Sequence, residues 1–301
     1  MRHPFFFVNV RPPKESPLTI RPALDWWSCR RAWKAGVDAV PRIVRRAVEL
    51  GAEGLLLDYI ALPPPLRDNP ARLLSLQSEF RLEYALGGGA PLALPKALWG
   101  AARTRRQAML DYAQALSAKV VRVPLSLLSP VSWTPATSLA VGSWYLARAL
   151  APRLGRLCEK AAARGLTVAI ENQGAFKTQT LLRLFELTDA SNLRFSLAVG
   201  RFVAQGEDPY RATELLAPHA ALVVLEDVTG AGLTARATPL GDGRIDLAEI
   251  LRLLDRAGFA GLCAVRVDPP RRAADQEDEW VKRSFVHLAQ LCDRLDKEEA
   301  T

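Results

Sequence analysis

The chain has 301 residues, of which 49% are hydrophobic, and its 40 basic residues exceed its 32 acidic ones to give a formal charge of +8. This length and composition predict a single domain over residues 1–301 with a large core. No apolar run approaches the ~20 residues that a membrane helix needs, so we expect no membrane contact. The four cysteines, at positions 29, 158, 263 and 292, form no CxxC pair. Such spacing argues against a zinc knuckle and is typical of a reduced, cytoplasmic protein.

The basic residues fall in short clusters, for example at 30–34, 45–49, 103–107 and 269–273. No interleaved aromatic residues and no reader motif accompany them, which argues against a nucleic-acid partner. A solvated, arginine-rich outer face is the simpler interpretation. The positive charge still permits contact with acidic small molecules.

Short apolar runs alternate with longer amphipathic ones along the chain, which is typical of repeated βα units. In chain order, the pattern predicts strands at 5–10, 54–60, 80–86, 119–127, 166–172, 193–200, 221–228 and 261–267. Helices are predicted at 33–50, 103–116, 146–165, 181–189, 210–216, 245–258 and 278–295, with Asp246 and Glu249 as a capping box. Eight strands separated by helices predict a (β/α)8 TIM barrel, in which the loops after the strands carry the chemistry.

Several segments between residues 155 and 268 resemble one family. They are LTVAIENQG (166–174), SLAVG (196–200), LVVLEDV (222–228) and PLGDGRIDLAEILRLLDRAGFAG (239–261). These segments are similar to those of the sugar phosphate isomerase/epimerase superfamily, the xylose isomerase-like TIM barrels. The resemblance implies proton transfer at a carbon next to a carbonyl, with a divalent metal that polarises the substrate.

In that family the metal is held by Glu, Asp, His and Glu at the ends of strands five to eight. The matching positions here are occupied by Glu171, Ala198, Val224 and Arg266. Only Glu171 offers a metal ligand, so the metal site is degenerate, and we expect no metal and no other cofactor.

Three residues are the candidates for catalysis. Arg266 is expected to face Glu171 as a fixed cation in place of the ion. Glu171 is then either a base or half of a structural ion pair. Glu226 lies two residues past Val224 and therefore points to the same side of the strand. It is either an acid or base, or a solvated glutamate at the loop edge.

Five further residues are candidates for substrate binding, each with a structural alternative. Asp58 and Glu83 lie near the ends of strands two and three, where they either join the cavity or cap or bridge a neighbouring loop. Arg122 and Arg201 either anchor a phosphate or carboxylate or form ordinary ion pairs. Trp27 either covers the pocket or packs a helix onto the barrel.

Two functions of different class remain open. The first is an isomerase, epimerase or dehydratase that works without the usual metal on a small ligand of sugar or polyol type. The second is a pseudoenzyme, a non-catalytic barrel that acts as a ligand-binding or partner subunit in a homo- or hetero-oligomer. An open cavity surrounded by Glu171, Glu226 and Arg266 would be compatible with the first function, whereas a filled mouth in which they pack against each other would exclude it.

Overall fold

The computed structural model describes residues 20–30, 36–93, 99–125, 146–172, 176–270 and 275–299. Eight parallel strands close into a barrel in the order β1-β10-β7-β6-β5-β4-β3-β2, which confirms the predicted TIM barrel. The barrel strands are β1 (Arg21–Asp25), β2 (Gly54–Asp58), β3 (Glu83–Gly87), β4 (Val120–Val123), β5 (Thr167–Glu171), β6 (Leu193–Ala198), β7 (Ala220–Leu225) and β10 (Leu262–Val265). Strands β8 (Asp227–Thr229) and β9 (Arg236–Thr238) form a separate antiparallel pair.

Helices surround the barrel. They are α1 (Val40–Glu49), α2 (Pro64–Asp68), α3 (Ala71–Phe80), α4 (Trp99–Ala115), α5 (Ala151–Ala162), α6 (Thr178–Thr188), α7 (Val199–Ala204), α8 (Pro209–Leu216), α9 (Leu247–Arg256) and α10 (Glu277–Glu299). A π-helical segment, Leu146–Leu150, leads into α5, and short 3-10 turns include Trp26–Cys29 and Val37–Ala39. Within the described ranges, no helix has both the length and the apolarity to cross a bilayer.

The first barrel strand differs from the sequence prediction. Residues 5–10, predicted as this strand, lie outside the described residues, and the barrel instead uses Arg21–Asp25. The strand closes the cylinder because Ala23 pairs with Gly54 on one side and with Ala264 on the other. Pro22 hid it in the sequence, since proline lacks the N–H that a strand interior normally needs.

The boundaries of other strands and helices also differ from those predicted from the sequence. The run 221–228 is divided, because β7 ends at Leu225 and Asp227–Thr229 belongs to the hairpin. The segment 62–70, which follows the second predicted strand, contains α2, whose first turn begins with proline, a residue well suited to that position. The helix expected at 33–50 begins at Val40, and residues 31–35 lie outside the described ranges. The predicted helix start at Asp246 is confirmed, as its carboxylate accepts a hydrogen bond from the Glu249 N–H at 3.2 Å.

Side chains alternate between two environments along every barrel strand. One set faces the helices and joins the main core, as Leu24, Leu55 and Val223 do. The other set points into the barrel, where a second cluster is formed by Ala23, Leu56, Ala85, Ala198, Leu222, Val224, Leu262 and Ala264. Because the period is two, the next inward position lies at the carboxyl end of each strand. At most of these positions the sequence has a charged residue, and they form the site.

Candidate functional site

Six charged side chains meet at the carboxyl end of the barrel. Strand alternation directs five of them inward, and the sixth follows β6 on α7. We call them the charge ring, and they are Asp25, Arg122, Glu171, Arg201, Glu226 and Arg266. Each is between 0% and 8% exposed. Charged groups are this deeply buried only when they are paired, so their partners decide what the site can do.

Arg266 pairs with two carboxylates. Its Nη2 and Nε lie 2.6 and 2.9 Å from Asp25 Oδ2, and its Nη1 lies 3.1 Å from Glu226 Oε1. The expected direct pair of Arg266 with Glu171 is therefore wrong. The reason is strand order: β10 lies between β1 and β7, which carry Asp25 and Glu226, whereas Glu171 is on β5.

Glu171 pairs instead with Arg122 and Arg201. Its Oε2 is 3.0 Å from Arg122 Nη1, and its Oε1 is 3.1 Å from Arg201 Nη1. Two longer contacts close the ring, from Arg122 to Asp25 at 3.5 Å and from Arg201 to Glu226 at 3.9 Å. Positive and negative groups thus alternate around a closed circuit, and three charges of each sign cancel.

The pKa values of the two glutamates in the ring are shifted in opposite directions. Burial opposes ionisation of Glu171, but the nearby guanidiniums of Arg122, Arg201 and Arg266 outweigh it and lower the pKa to about 2. For Glu226, burial is the largest effect and raises the pKa despite Arg266 and Arg201. Its Oε2 is buried and has no hydrogen-bond partner among the described residues. Glu171 is therefore a fixed anion, whereas Glu226 is the ring member best able to hold a proton.

Two glycines make room for the ring. Gly87 is the inward residue at the end of β3, and a Cβ there would lie 2.8 Å from Arg122 Nη2. Gly200, in the first turn of α7, would place a Cβ 2.8 Å from that of Glu226. Any larger residue at either position would displace a ring member.

Asp58 and Trp27 also lie at this end of the barrel, next to the ring. Asp58 accepts hydrogen bonds from the N–H groups of Ile60 and Ala61 at 3.0 and 3.1 Å, so it caps its own loop. The indole Nε1 of Trp27 donates a hydrogen bond to the other carboxylate oxygen of Asp58 at 3.0 Å. The Trp27 N–H donates to Asp25 at 2.8 Å, which fixes the turn after β1.

Glu83 is a correction, because it does not share the site. It begins β3 and therefore lies at the opposite, amino-terminal end of the barrel. There its carboxylate is 3.0 Å from Arg21 and 2.9 Å from Lys119. The predicted strand 80–86 began too early, which placed Glu83 too near its carboxyl end.

The two most recognisable motifs have structural roles here. The Asp227 carboxylate accepts hydrogen bonds from the N–H groups of Gly241 and Gly243, both at 3.0 Å, and from Ile245 at 3.2 Å, so it holds the LGDGRID turn. Asn172 of the IEN segment donates to the Ala198 carbonyl at 2.9 Å and accepts from the Ala198 N–H at 2.8 Å. Both motifs stabilise the rim of the barrel.

The residues present do not fit the divalent metal that the family resemblance implies. Both oxygens of Glu171 are within 3.1 Å of guanidinium groups, and a cation placed there would be repelled. Ala198 and Val224 have no donor atoms, and Arg266 is itself a cation. The Asp227 carboxylate already accepts hydrogen bonds from backbone N–H groups. The Asp58 carboxylate already accepts hydrogen bonds from its own loop and from Trp27. In the described part of the chain, no three His, Cys, Asp or Glu side chains are grouped as a metal site.

Sequence reasoning missed Asp25 and Gly87. Asp25 is fully buried and closes the ring between Arg122 and Arg266. A usable signal was present, because RPALD ends in an acidic residue after a short apolar run, as GLLLD and TVAIE do. Gly87 gave no signal, since its role depends on where the Arg122 side chain lies.

Comparison with known proteins agrees with this architecture. Residues 44–291 match the family model described as xylose isomerase-like TIM barrel, and the chain belongs to that family. No curated protein is significantly similar to it in sequence.

Several solved structures share the fold over nearly the whole chain. The IolI protein with a bound zinc atom is 15% identical, with a TM-score of 0.73, 92% of this chain covered and 99% of that one. The probable 3-DHS dehydratase AsbF of Bacillus anthracis is 16% identical, with a TM-score of 0.72 and coverages of 90% and 99%. A D-allulose 3-epimerase from a Methylomonas species is 12% identical, with a TM-score of 0.69 and coverages of 91% and 99%. At these identities the likeness shows the fold alone.

Proposed function

We propose that this protein is a pseudoenzyme of its family, a non-catalytic barrel that serves as a ligand-binding or partner subunit. The charge ring is the observation that supports this. A general base must be able to accept a proton near neutral pH, and Glu171, the one retained ligand position, is held ionised by two guanidiniums. The cations of the ring neutralise its carboxylates, as a metal ion does in a metal-binding site.

A ligand of sugar or polyol type fits the remaining polar atoms. The buried Ser196 Oγ has no hydrogen-bond partner in the described part of the chain, and neither has Glu226 Oε2. Ser196 lies opposite Glu171 in the register of β5 and β6. Both atoms are buried, so a polyhydroxyl compound would supply partners to them only after the side chains of the charge ring move apart. The names of two fold neighbours, an epimerase of D-allulose and a dehydratase of 3-DHS, are consistent with a ligand of this class.

The loss of metal chemistry is tested by elemental analysis and activity assays on protein purified without chelator. We expect far less than one Mg, Mn, Co or Zn per chain. We also expect no turnover of D-allulose or 3-DHS above background when these metals are added. A stoichiometric metal, or a turnover that Glu171→Gln abolishes, would contradict the proposal.

The ligand is tested by thermal shift against a panel of sugars, polyols and sugar phosphates. A binding compound should raise the Tm of the native protein and should do so less in Ser196→Ala. Thr104→Ala is the matched control, because the Thr104 hydroxyl lies on an exposed part of α4, where it donates to the Gly100 carbonyl of its own helix. Equal shifts in all three proteins would place the ligand elsewhere.

One observation favours a second candidate, proton transfer without a metal. Glu226 has a raised pKa and an unpartnered oxygen, and Arg266 lies 3.1 Å from its other oxygen as a cation for a developing enediolate. In that case a sugar or hydroxy-acid substrate should turn over in EDTA. Glu226→Gln should then remove the activity at temperatures where the variant is still folded, although the loss of a ring carboxylate also lowers the Tm.

A further inference from the structure

A groove on the outer face of the barrel carries a separate concentration of positive charge. It lies between α4 and α5 and has a volume of about 440 Å³. Its described lining contains five cationic side chains and no carboxylate, the cations being Arg103, Arg106, Arg153, Arg156 and Lys160. We propose that this groove binds a small phosphorylated organic anion carrying at least two negative charges.

The two helices contribute to the groove with the same spacing. On α4 the lining residues are Arg103, Arg106, Gln107 and Leu110, and on α5 they are Arg153, Arg156, Leu157 and Lys160. Both sets follow the i, i+3, i+4, i+7 pattern, which places residues on one face of a helix. Two basic helix faces therefore oppose each other across the groove.

The inner cations are held in place before any ligand arrives. Arg106 Nη1 donates to the Ala90 and Pro91 carbonyls at 3.1 and 2.8 Å, and Arg153 Nη1 donates to the Leu92 carbonyl at 3.3 Å. Across the groove, Lys160 Nζ donates to the Gln107 side chain at 3.3 Å. Because neutral carbonyl and amide oxygens hold Arg106 and Lys160, these two cations keep their full charge available to an anion.

The outer cations are not compensated. Arg103 and Arg156 are exposed, and neither has an ion pair or hydrogen bond within the described part of the chain. Burial, and after it the neighbouring Arg153, lowers the pKa of Arg106, which shows that like charges crowd the groove. A bound anion would relieve this repulsion.

The groove fits a small molecule better than a nucleic acid. Its volume lies in the range of small-molecule sites, about 300–1,000 Å³. Its floor is apolar, formed by the buried Leu92, Leu110 and Leu157. No aromatic side chain for base stacking is among its described lining residues. An organic phosphate combines the charge and the apolar part that such a site would accommodate.

The proposal is tested by titrating the full chain with inorganic tripolyphosphate and with ATP at 150 mM salt in a calorimeter. We expect saturable binding at one site. The double variant Arg103→Gln, Arg156→Gln should weaken it about tenfold. The matched control Arg42→Gln, Arg45→Gln removes two exposed arginines of α1 and should change the Kd by less than about twofold.

Three results would overturn the proposal: no saturable binding at 150 mM salt, equal weakening in both double variants, or binding of a 20-base-pair DNA duplex but of neither phosphate compound. The third result would assign the groove to nucleic acid. Because the substituted arginines are exposed and do not pack in the core, both double variants should unfold at the same Tm as the native chain. The barrel mouth is untouched by these variants, so the outcome is independent of whether the protein is a pseudoenzyme.

Discussion

Arg266 occupies a position where the family resemblance implies a metal ligand, and it satisfies two buried carboxylates at once. Asp25 is its nearer partner, through two nitrogens at 2.6 and 2.9 Å, and Glu226 is the other at 3.1 Å. Removing one member of a buried ion pair is more costly than replacing the whole pair, because the remaining charge stays buried without compensation. The buried Arg266 is therefore stabilised at this position by the two carboxylates that pair with it.

This arrangement predicts a specific pattern of coupling. Arg266→Met should lower the free energy of unfolding by about 3 kcal/mol, and Asp25→Asn in the same chain should restore at least ~1 kcal/mol of that loss. The control cycle combines Arg266→Met with Glu171→Gln, which are not in contact, and should show a smaller coupling. Urea unfolding of the single and double variants measures both. Equal coupling in the two cycles would contradict the assigned pairing.

The titration of Glu171 predicts how stability depends on pH. The pKa of Glu171 in the folded protein, about 2, lies below the pKa of a glutamate in the unfolded chain. The ion pairs of Glu171 therefore stabilise the protein fully when the pH is above the pKa of the unfolded state. That contribution, about 3 kcal/mol, should be lost as the pH falls from about 4.5 to 2. Glu171→Gln should remove this part of the acid-side slope.

Glu214→Gln is the control for the pH experiment. The side chain of Glu214 is 56% exposed and pairs with Arg211 on the surface of α8. Its replacement should leave the acid-side slope of the unfolding free energy unchanged. An identical slope in native protein and Glu171→Gln would mean that Glu171 is not held ionised by its neighbours.

Among the elements, the turn between β9 and α9 shows how a recognisable motif can serve structure alone. The buried Asp227 carboxylate organises this turn by accepting hydrogen bonds from its N–H groups, including that of Gly243. A Cβ at Gly243 would collide with Asp227 Oδ1. The glycine is required by this close approach, whatever the barrel binds.

Two glycine substitutions should therefore act in opposite directions. Gly243→Ala should lower the free energy of unfolding by about 3 kcal/mol, since it breaks several hydrogen bonds to a buried carboxylate. Gly155→Ala, inside α5, meets nothing within 4 Å and should raise the free energy of unfolding by up to about 1 kcal/mol. Thermal or urea unfolding distinguishes them. A stable Gly243→Ala protein would show that the turn can rearrange.

At the scale of the whole molecule, the barrel is closed by its first and last strands. Strand β1 pairs with both β2 and β10, so neither end of the chain's strand series is left as an open edge. The charge ring also links the strands that close the barrel. Asp25 of β1 contacts Arg266, which follows β10, and Arg122 of β4. Distant parts of the sequence thus share one set of contacts.

This closure predicts one cooperative unfolding transition, as expected of a single domain. Urea curves followed by tryptophan fluorescence and by far-ultraviolet circular dichroism should have the same midpoint. Arg266→Met should move both midpoints together. Two separated transitions would show that the amino- and carboxyl-terminal halves unfold as independent units.

The class of fold and part of the site follow from the sequence alone. The alternation of apolar runs predicted the barrel, and the period of two along the strand placed Glu226 on the same side as Val224. The family resemblance predicted that Glu171, Ala198, Val224 and Arg266 stand together at the mouth of the barrel. These features are local, because periodicity and residue type can be read along one segment at a time.

Which charges pair depends on the closed barrel. Arg266 contacts Asp25 and Glu226 because β10 lies between β1 and β7 in the closed barrel, and strand adjacency cannot be read from spacing along the chain. The same reason explains why Asp25 was missed, why Glu83 belongs to the opposite end, and why the basic faces of α4 and α5 form one groove. Pairing energies depend on distances across the fold, and those distances are set only when the cylinder closes.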